Sequence, residues 1–478
     1  AQNVPDYDDQ SKYLVNGSYK NQRTSDGASR YNGLSAFARG TYNYDDRYLA
    51  TLTFRADASS KYQEKWGFFP SVGLAWNITG EDFMASQSAF QNLKLRASWG
   101  MLGNDNVPSN SMVTVGTSGV GSSGVFGETL VDGVGSQTVY QNWLRWEVVN
   151  ETNVGAEFAA VGGRLTGDID WYWRVTSNVV FNAPIATGGG TSYLLANNGK
   201  VRNTGVELSL NWAESLSSGF SYNIGINATT NFNKVLELNG RDYIPGGYVR
   251  GNYSTKTQVG YPIGAFWGYK IDSVYASESE ALKDPLSQAI KDAGYFKYSD
   301  IDGNGVIDEN DKTYLGSPIP WFTLGLNFGF SYKGFDFSML LAAQVGNKIL
   351  NAKRMNRDVF VDGNYDLDFY KNAWRSDAKS KKYPSPEAYN SSFIQQANTF
   401  FVEDGSYFRI QNIQAGYTFR KIKGMKNLRV YLSAQRPLTI FGYNGYTTEI
   451  GGSPIESGID NSVYPMQAIY TLGLNLNF

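Results

Sequence analysis

The sequence predicts an all-β protein, a transmembrane antiparallel β-barrel with long extracellular loops, and three observations carry that prediction. Apolar and polar residues alternate with a period of two along much of the chain. Aromatics make up 15% of the 478 residues, Tyr alone numbers 33, and Gly numbers 52. Mean hydropathy is −0.37, and no run of about eighteen apolar residues offers a membrane helix. A barrel escapes that last requirement, because only every second residue of a spanning strand meets lipid.

The alternation places about thirteen strands by the period-two rule, near 33–44, 47–57, 68–77, 92–101, 148–159, 164–175, 203–213, 219–231, 321–332, 334–345, 408–419, 427–438 and 467–478. The last is the plainest. Tyr470, Leu472, Leu474, Leu476 and Phe478 share one face, and Thr471, Gly473, Asn475 and Asn477 the other. A helix would space its apolar residues three and four apart. A strand of a soluble sandwich also alternates, but an aromatic at the chain end suits a membrane interface better. Upstream, Phe322, Leu324, Leu326, Phe328 and Phe330 alternate with Thr323, Gly325, Asn327, Gly329 and Ser331. Charged residues also stand on polar faces, as with Lys94, Arg96, Asp168 and Asp170. A packed core would not accept them unpaired, whereas a lumen or plug would.

Outer-membrane barrels have short periplasmic turns, long outer loops and a periplasmic C-terminus. Counting back from Phe478, that rule puts the short connections at 421–426, 333–334, 214–218 and 161–163 inside. It puts the long ones, 439–466, 346–407, 232–320, 176–202 and 102–147, outside. Ser122 and Asp362 are therefore expected at the cell surface, Gly334 and Gly424 on the periplasmic side. The periplasmic connection at 80–91 is long for its place and is expected to carry a helical turn. An odd set of strands does not close as a bacterial single-chain barrel. The expectation is that residues 1–478 are the C-terminal part of a 22-stranded barrel, with about nine strands and a plug upstream. Residue 1 opens on AQNVPDYDD, with no charged or apolar leader region.

Cys and His are both absent, which excludes disulfides, Cys/His zinc sites, thiol nucleophiles and a Ser-His-Asp triad. No enzyme is expected. A formal net charge of −2 and the lack of a basic block leave no case for nucleic acid. One constellation carries chemistry. Residues 300–311, DIDGNGVIDEND, fit a twelve-residue calcium loop within the 232–320 excursion. Such a loop delivers hard oxygens from positions 1, 3, 5, 7, 9 and 12, here Asp300, Asp302, Asn304, the Val306 carbonyl, Asp308 and Asp311. Gly305 stands at the sharp turn, Ile307 at the anchoring position, and Asp replaces the usual Glu at position 12. The competing reading is an Asn/Gly turn with solvated acids. Aromatics on the outer loops, Tyr243, Trp267, Tyr365, Trp374 and Tyr443 among them, are candidate substrate contacts by stacking, against ordinary loop packing.

Several stretches resemble a known family: YNYDDRYLATLTFRAD at 42–57, WGFFPSV at 66–72, LKLRASWG at 93–100, residues 300–311 followed by GSPIP at 316–320, and YFRIQNIQAGY at 407–417. In that order and over nearly the whole chain they resemble the SusC/RagA family of TonB-linked outer-membrane proteins. The resemblance implies TonB-dependent import of oligosaccharides or peptides across the outer membrane of a Bacteroidetes-type bacterium. It also implies a SusD-like surface lipoprotein as lid, with the plug and TonB box upstream of these residues. A passive porin and a surface adhesin are the alternatives, the first needing a complete barrel and no plug.

Overall fold

The computed structural model describes residues 30–107, 117–118, 124–131, 134–135, 138–140, 144–184, 193–356, 364–391, 393–420, 422 and 424–478. Thirteen strands form one antiparallel path: β1 (Gly33–Tyr44), β2 (Tyr48–Ser59), β3 (Trp66–Asn77), β4 (Phe90–Asn104), β5 (Glu147–Ala160), β6 (Leu165–Pro184), β7 (Tyr193–Ser215), β8 (Ser221–Thr230), β9 (Phe322–Tyr332), β10 (Phe335–Val345), β11 (Tyr407–Phe419), β12 (Asn427–Phe441) and β13 (Ile469–Asn477). Each pairs with its neighbour in the chain, as a meander requires. All thirteen fall where the alternation predicts them. Among the described residues nothing pairs with the free edge of β1 or of β13, and every residue of β1 is exposed.

Register keeps one side chain set on one face throughout. Leu326 lies opposite Ile226 on β8 and Leu341 on β10, and Leu432 lies opposite Ala415 and Leu472. Much of this apolar face stays open: Leu472 is 70% exposed, and Leu432, Leu474 and Leu52 are each 63%. So large an exposed apolar face suits lipid rather than water. The other face carries Asn, Ser, Thr, Gly and charged groups.

The connections at one end are short. β9 and β10 are joined by Lys333 and Gly334 alone, at φ 48° and 94°, the left-handed pair that a two-residue turn needs to match strand twist. The longer β3–β4 connection carries two 3-10 turns, Ile78–Gly80 and Asp82–Met84, as expected. Glu81 between them accepts from Tyr48 Oη at 2.7 Å and Trp76 Nε1 at 2.8 Å, so two interfacial rings have their polar tips satisfied at that end.

At the other end the long excursions fold. The expected loop at 176–202 is corrected: β6 runs on to Pro184 and β7 begins at Tyr193, so the hairpin continues far past its alternating part. Val179, Val180 and Phe181 favour strand there, and a bulge beside Asn178, at φ 57°, absorbs the register shift. Residues Phe232–Glu237 pair with β7 and extend the wall further. The 232–320 excursion does not stand alone. It builds a four-stranded sheet, Tyr243–Gly246, Thr255–Gln258, Ala265–Tyr269 and Lys312–Gly316, and shares one apolar core with the 346–406 excursion. Phe266, Phe296 and Tyr298 of the first meet Leu350, Phe369 and Phe401 of the second, all 2% exposed or less. A smaller cluster of Val201, Val235, Ile244, Ile263 and Ile455 packs this cap onto the inner side of the extended wall. Most of the buried apolar core thus lies in the cap, since the spanning strands leave one face to lipid and the other to the lumen.

Candidate functional site

The acidic loop folds as a chain of side-chain-to-backbone hydrogen bonds. Asp300 Oδ1 accepts from Gly303 N at 2.8 Å and Oδ2 from Gly305 N at 2.9 Å. Asp302 Oδ1 accepts from Asn304 N at 3.0 Å, and Asn304 Oδ1 from Val306 N at 2.7 Å. Gly303 and Gly305 sit at φ 76° and 84°, which an ordinary side chain resists. Asp311 is fully buried; its two oxygens accept from Ile301 N at 2.7 Å and Asp308 N at 2.8 Å. The Gly305 N–H, followed by those of Gly303 and Asn304, holds the Asp300 carboxyl below the usual carboxylate range. Carboxylate oxygens of Asp300, Asp302 and Asp311 lie within 4.8 Å of one another. Asp308 stands apart from that trio and caps the 3-10 turn Glu309–Asp311, accepting from Asn310 N at 2.7 Å. Ile307 is 6% exposed within the cap core, and its N–H bonds Ser287 O at 2.7 Å. The loop is therefore pinned to the cap at its eighth position.

The five aromatic candidates do not converge. Trp267 is 7% exposed and meets Tyr261 edge-on at 5.2 Å. Tyr443 is 5% exposed and its hydroxyl donates to Asp460 Oδ2 at 2.6 Å; burial, then Asp460, drives its pKa upward. Neither ring is open to a ligand as placed. Tyr365 stacks on Phe369 at 4.8 Å and Trp374 packs against the same cap core. Tyr243, 40% exposed, keeps an accessible ring, with Lys256 Nζ 4.2 Å from its centroid and 4.5 Å from that of Trp267.

Two features escaped the sequence. Arg354, 3% exposed, stands at a hub within the 346–406 excursion, with Asp368 at 3.0 Å, Glu403 at 3.6 Å, Asp366 at 3.8 Å and the Phe400 ring at 4.4 Å. No local pattern marks it, because its partners come from later turns of the same excursion, beyond the reach of a short motif. The second is a set of cross-strand ion pairs on the polar face of β4, β5 and β6: Lys94 with Glu157 at 2.6 Å, Arg96 with Asp170 at 2.5 Å and Arg174 with Glu151 at 2.7 Å. Opposite charges on the polar positions of neighbouring strands were the available signal; pairing them needs the register.

Comparison with known proteins agrees with this architecture. A family model described as TonB dependent receptor-like, beta-barrel, matches residues 2–305. TonB-dependent receptor P26 of Formosa agariphila is 32% identical over 482 residues, covering 94% of this chain and 47% of the receptor. TonB-dependent receptor SusC of Bacteroides thetaiotaomicron is 30% identical over 475 residues, covering 94% of this chain and 44% of the receptor. The chain thus spans less than half the length of either. A solved structure of the RagAB peptide transporter superposes with a TM-score of 0.77 at 22% identity, covering 98% of this chain and 50% of that one, and shows the same fold.

Proposed function

The chain belongs to the TonB dependent receptor-like β-barrel family, in its SusC/RagA group, and from that premise we propose that it forms wall and outer cap of an energised outer-membrane importer. The observation that carries this reading is the division of one thirteen-strand sheet into an apolar outer face and a polar inner face, crowned by a cap with its own core. A pore wide enough to need so many strands leaks unless plugged, and the outer membrane holds no nucleotide fuel. Work to move a plug must then come through TonB from the inner membrane, acting on a segment outside these residues. The cargo is an oligosaccharide or a peptide, and a SusD-like lipoprotein on the cell surface docks on the cap. The receptor is read as a transporter and not as an enzyme.

Calcium is proposed as a structural ion of the cap. Asp300, Asp302, Asn304, the Val306 carbonyl and Asp311 would hold it directly, with Asp308 acting through water. The donor set is all oxygen, which suits this hard cation, and the close carboxylates of Asp300, Asp302 and Asp311 repel one another without one. Tyr243, the accessible ring among the candidates, is proposed as a substrate contact at the mouth.

The test of the importer reading uses the full-length protein in its host. Uptake of a surface-bound oligosaccharide or peptide should stop when TonB is removed or the proton gradient is collapsed, while surface binding persists. Uptake indifferent to both treatments would make the protein a passive pore. Extraction in mild detergent should bring a surface lipoprotein along with the barrel; a barrel that emerges alone from membranes holding such lipoproteins would refute the lid.

A further inference from the structure

The inner face of the sheet is not chemically uniform. Over β4, β5 and β6 it is charged, and the charges are joined across strands: Lys94 to Glu157, Arg96 to Asp170 and Arg174 to Glu151. Over β8 and β9 it is uncharged and paved by amides, and the flanking strand β7 adds Asn211 and one carboxylate, Glu207, opposite Asp170. Asn211 on β7 lies opposite Gly225 on β8, and Gly225 lies opposite Asn327 on β9. One row to either side, Asn223 lies opposite Gly329 and Asn227 opposite Gly325. The pattern repeats in steps of two residues, so successive amide rows stand about 6.8 Å apart along the strands.

Glycine is required in that pattern. A Cβ on Gly225 would come within 1.9 Å of Asn327 Oδ1, and one on Gly329 within 2.6 Å of Asn223 Oδ1. The two amides lie down over bare backbone instead of standing into the lumen, which leaves the wall flat. Among the described residues the side chains of Asn211, Asn223, Asn227 and Asn327 make no hydrogen bond to protein, although the same residue type at Asn197, Asn351 and Asn398 is tied into the cap or the wall. Each free amide offers a donor and an acceptor.

We propose that the transported solute, an uncharged polar chain, moves along the amide-paved wall of β8 and β9, with Asn211 of β7 at its edge, and not along the charged wall of β4–β6. The inference rests on the importer reading. Neutral hydrogen bonds exchanged against water are shallow, about 0.5–1.5 kcal/mol each, and a solute sliding over a flat ladder trades one for the next without a deep trap. Charge-assisted bonds are about twice as strong, and six of the charged groups of β4–β6 are already held in the three pairs Lys94–Glu157, Arg96–Asp170 and Arg174–Glu151. A solute inserted there would have to break an ion pair or leave it partly desolvated. The charged wall is stiffened by its cross-links; the amide wall has nothing to release.

The experiment uses the full-length receptor, with any cysteine elsewhere replaced first; the present chain contains none. Single cysteines are placed at Asn227→Cys and Asn327→Cys on the amide wall, and at Glu157→Cys and Asp168→Cys on the charged wall. Glu157 and Asn227 share one register row, through Asp168 and Ser209, so the two walls are compared along one line of cross-strand partners. After reaction with a bulky maleimide, TonB-dependent uptake should fall by about tenfold for the amide-wall pair and by less than about twofold for the charged-wall pair. Excess solute should slow maleimide reaction at Asn227→Cys and Asn327→Cys only. Asn327→Asp, which folds around the same glycine, should also slow uptake without any label. Equal loss from both walls, or loss from the charged wall alone, overturns the assignment and leaves the importer reading standing. An unlabelled parent that binds solute at the surface but never carries it inward overturns both.

Discussion

Replacing Asp311 tests the acidic loop at its buried end. The carboxylate is fully buried and accepts two backbone N–H groups, Ile301 at 2.7 Å and Asp308 at 2.8 Å. Hydrogen bonds to a charged group are worth about 1.5–3 kcal/mol each, so Asp311→Ala should cost the loop about 3–6 kcal/mol of local stability. Asp311→Asn keeps one accepting oxygen and should cost about half as much. Calcium adds a separate term. With a dissociation constant of about 10⁻⁴ M, in the range of weak extracellular loops, calcium at about 1 mM stabilises by about 1.4 kcal/mol. The assay is amide hydrogen exchange of peptides covering 300–311 in the full-length receptor, with calcium and with chelator. The parent should slow about tenfold on adding calcium, matching that free energy. Asp311→Ala should exchange fast in both conditions, and Asp311→Asn at an intermediate rate that calcium does not change. A parent indifferent to calcium reduces the motif to an Asn/Gly turn; Asp311→Ala exchanging like the parent removes even the structural role.

Three further outcomes follow from the same geometry. A protease site inserted at Leu282, 75% exposed on the cap, should be cut on intact cells, and one at Gly334 should be cut only after the outer membrane is opened; surface cutting at Gly334 would invert the topology. Ser122 and Asp362, also expected outside, lie outside the described residues. Leu326→Arg puts a charge in the apolar face between Ile226 and Leu341, at a cost of about 2–4 kcal/mol near the bilayer midplane, and should lower the urea midpoint of the inserted barrel; an unchanged midpoint would deny that this face meets lipid. For pH, burial raises the Asp284 carboxyl, but Lys297 at 2.8 Å, the Leu286 N–H at 3.0 Å and the Tyr275 hydroxyl at 3.0 Å outweigh it and leave it below its usual range. A depressed folded value means stability present above the unfolded value of about 3.9 and lost as pH falls through the folded one. Proteolysis of residues 271–298 should therefore accelerate in acid below about pH 4, and Asp284→Asn should flatten that dependence; an identical acid threshold in both proteins would refute it.

Strand placement was legible because alternation is a local property. A spanning strand meets lipid on one side and a polar lumen on the other, so residues i and i+2 declare the element without reference to any partner. Phe322 to Phe330, the Lys333–Gly334 turn and Phe335 to Leu341 could be placed for that reason, as could the role of Ile307, whose position in the twelve-residue loop predicts burial. Where the membrane stops enforcing the pattern, legibility stops too. Ser177–Pro184 of β6 and the first ten residues of β7 are strand, held by each other's hydrogen bonds and not by a lipid boundary, and the sequence shows them only as loop composition.

What tertiary structure alone decided is which side chains are covered. Trp267 and Tyr443 have the composition of exposed recognition residues, yet contacts made across the cap bury both. Arg354 meets Asp366, Asp368 and Glu403 only because the 346–406 excursion folds back on itself. The amide wall has the same origin. Asn211, Gly225 and Asn327 each read as an ordinary polar position, and their alignment appears only when β7, β8 and β9 pair in one register. Periodicity is written in neighbours two residues apart, and any single strand can display it. Burial and cross-strand juxtaposition are written in pairs up to a hundred or more residues apart, and they come into being only when the chain closes those distances.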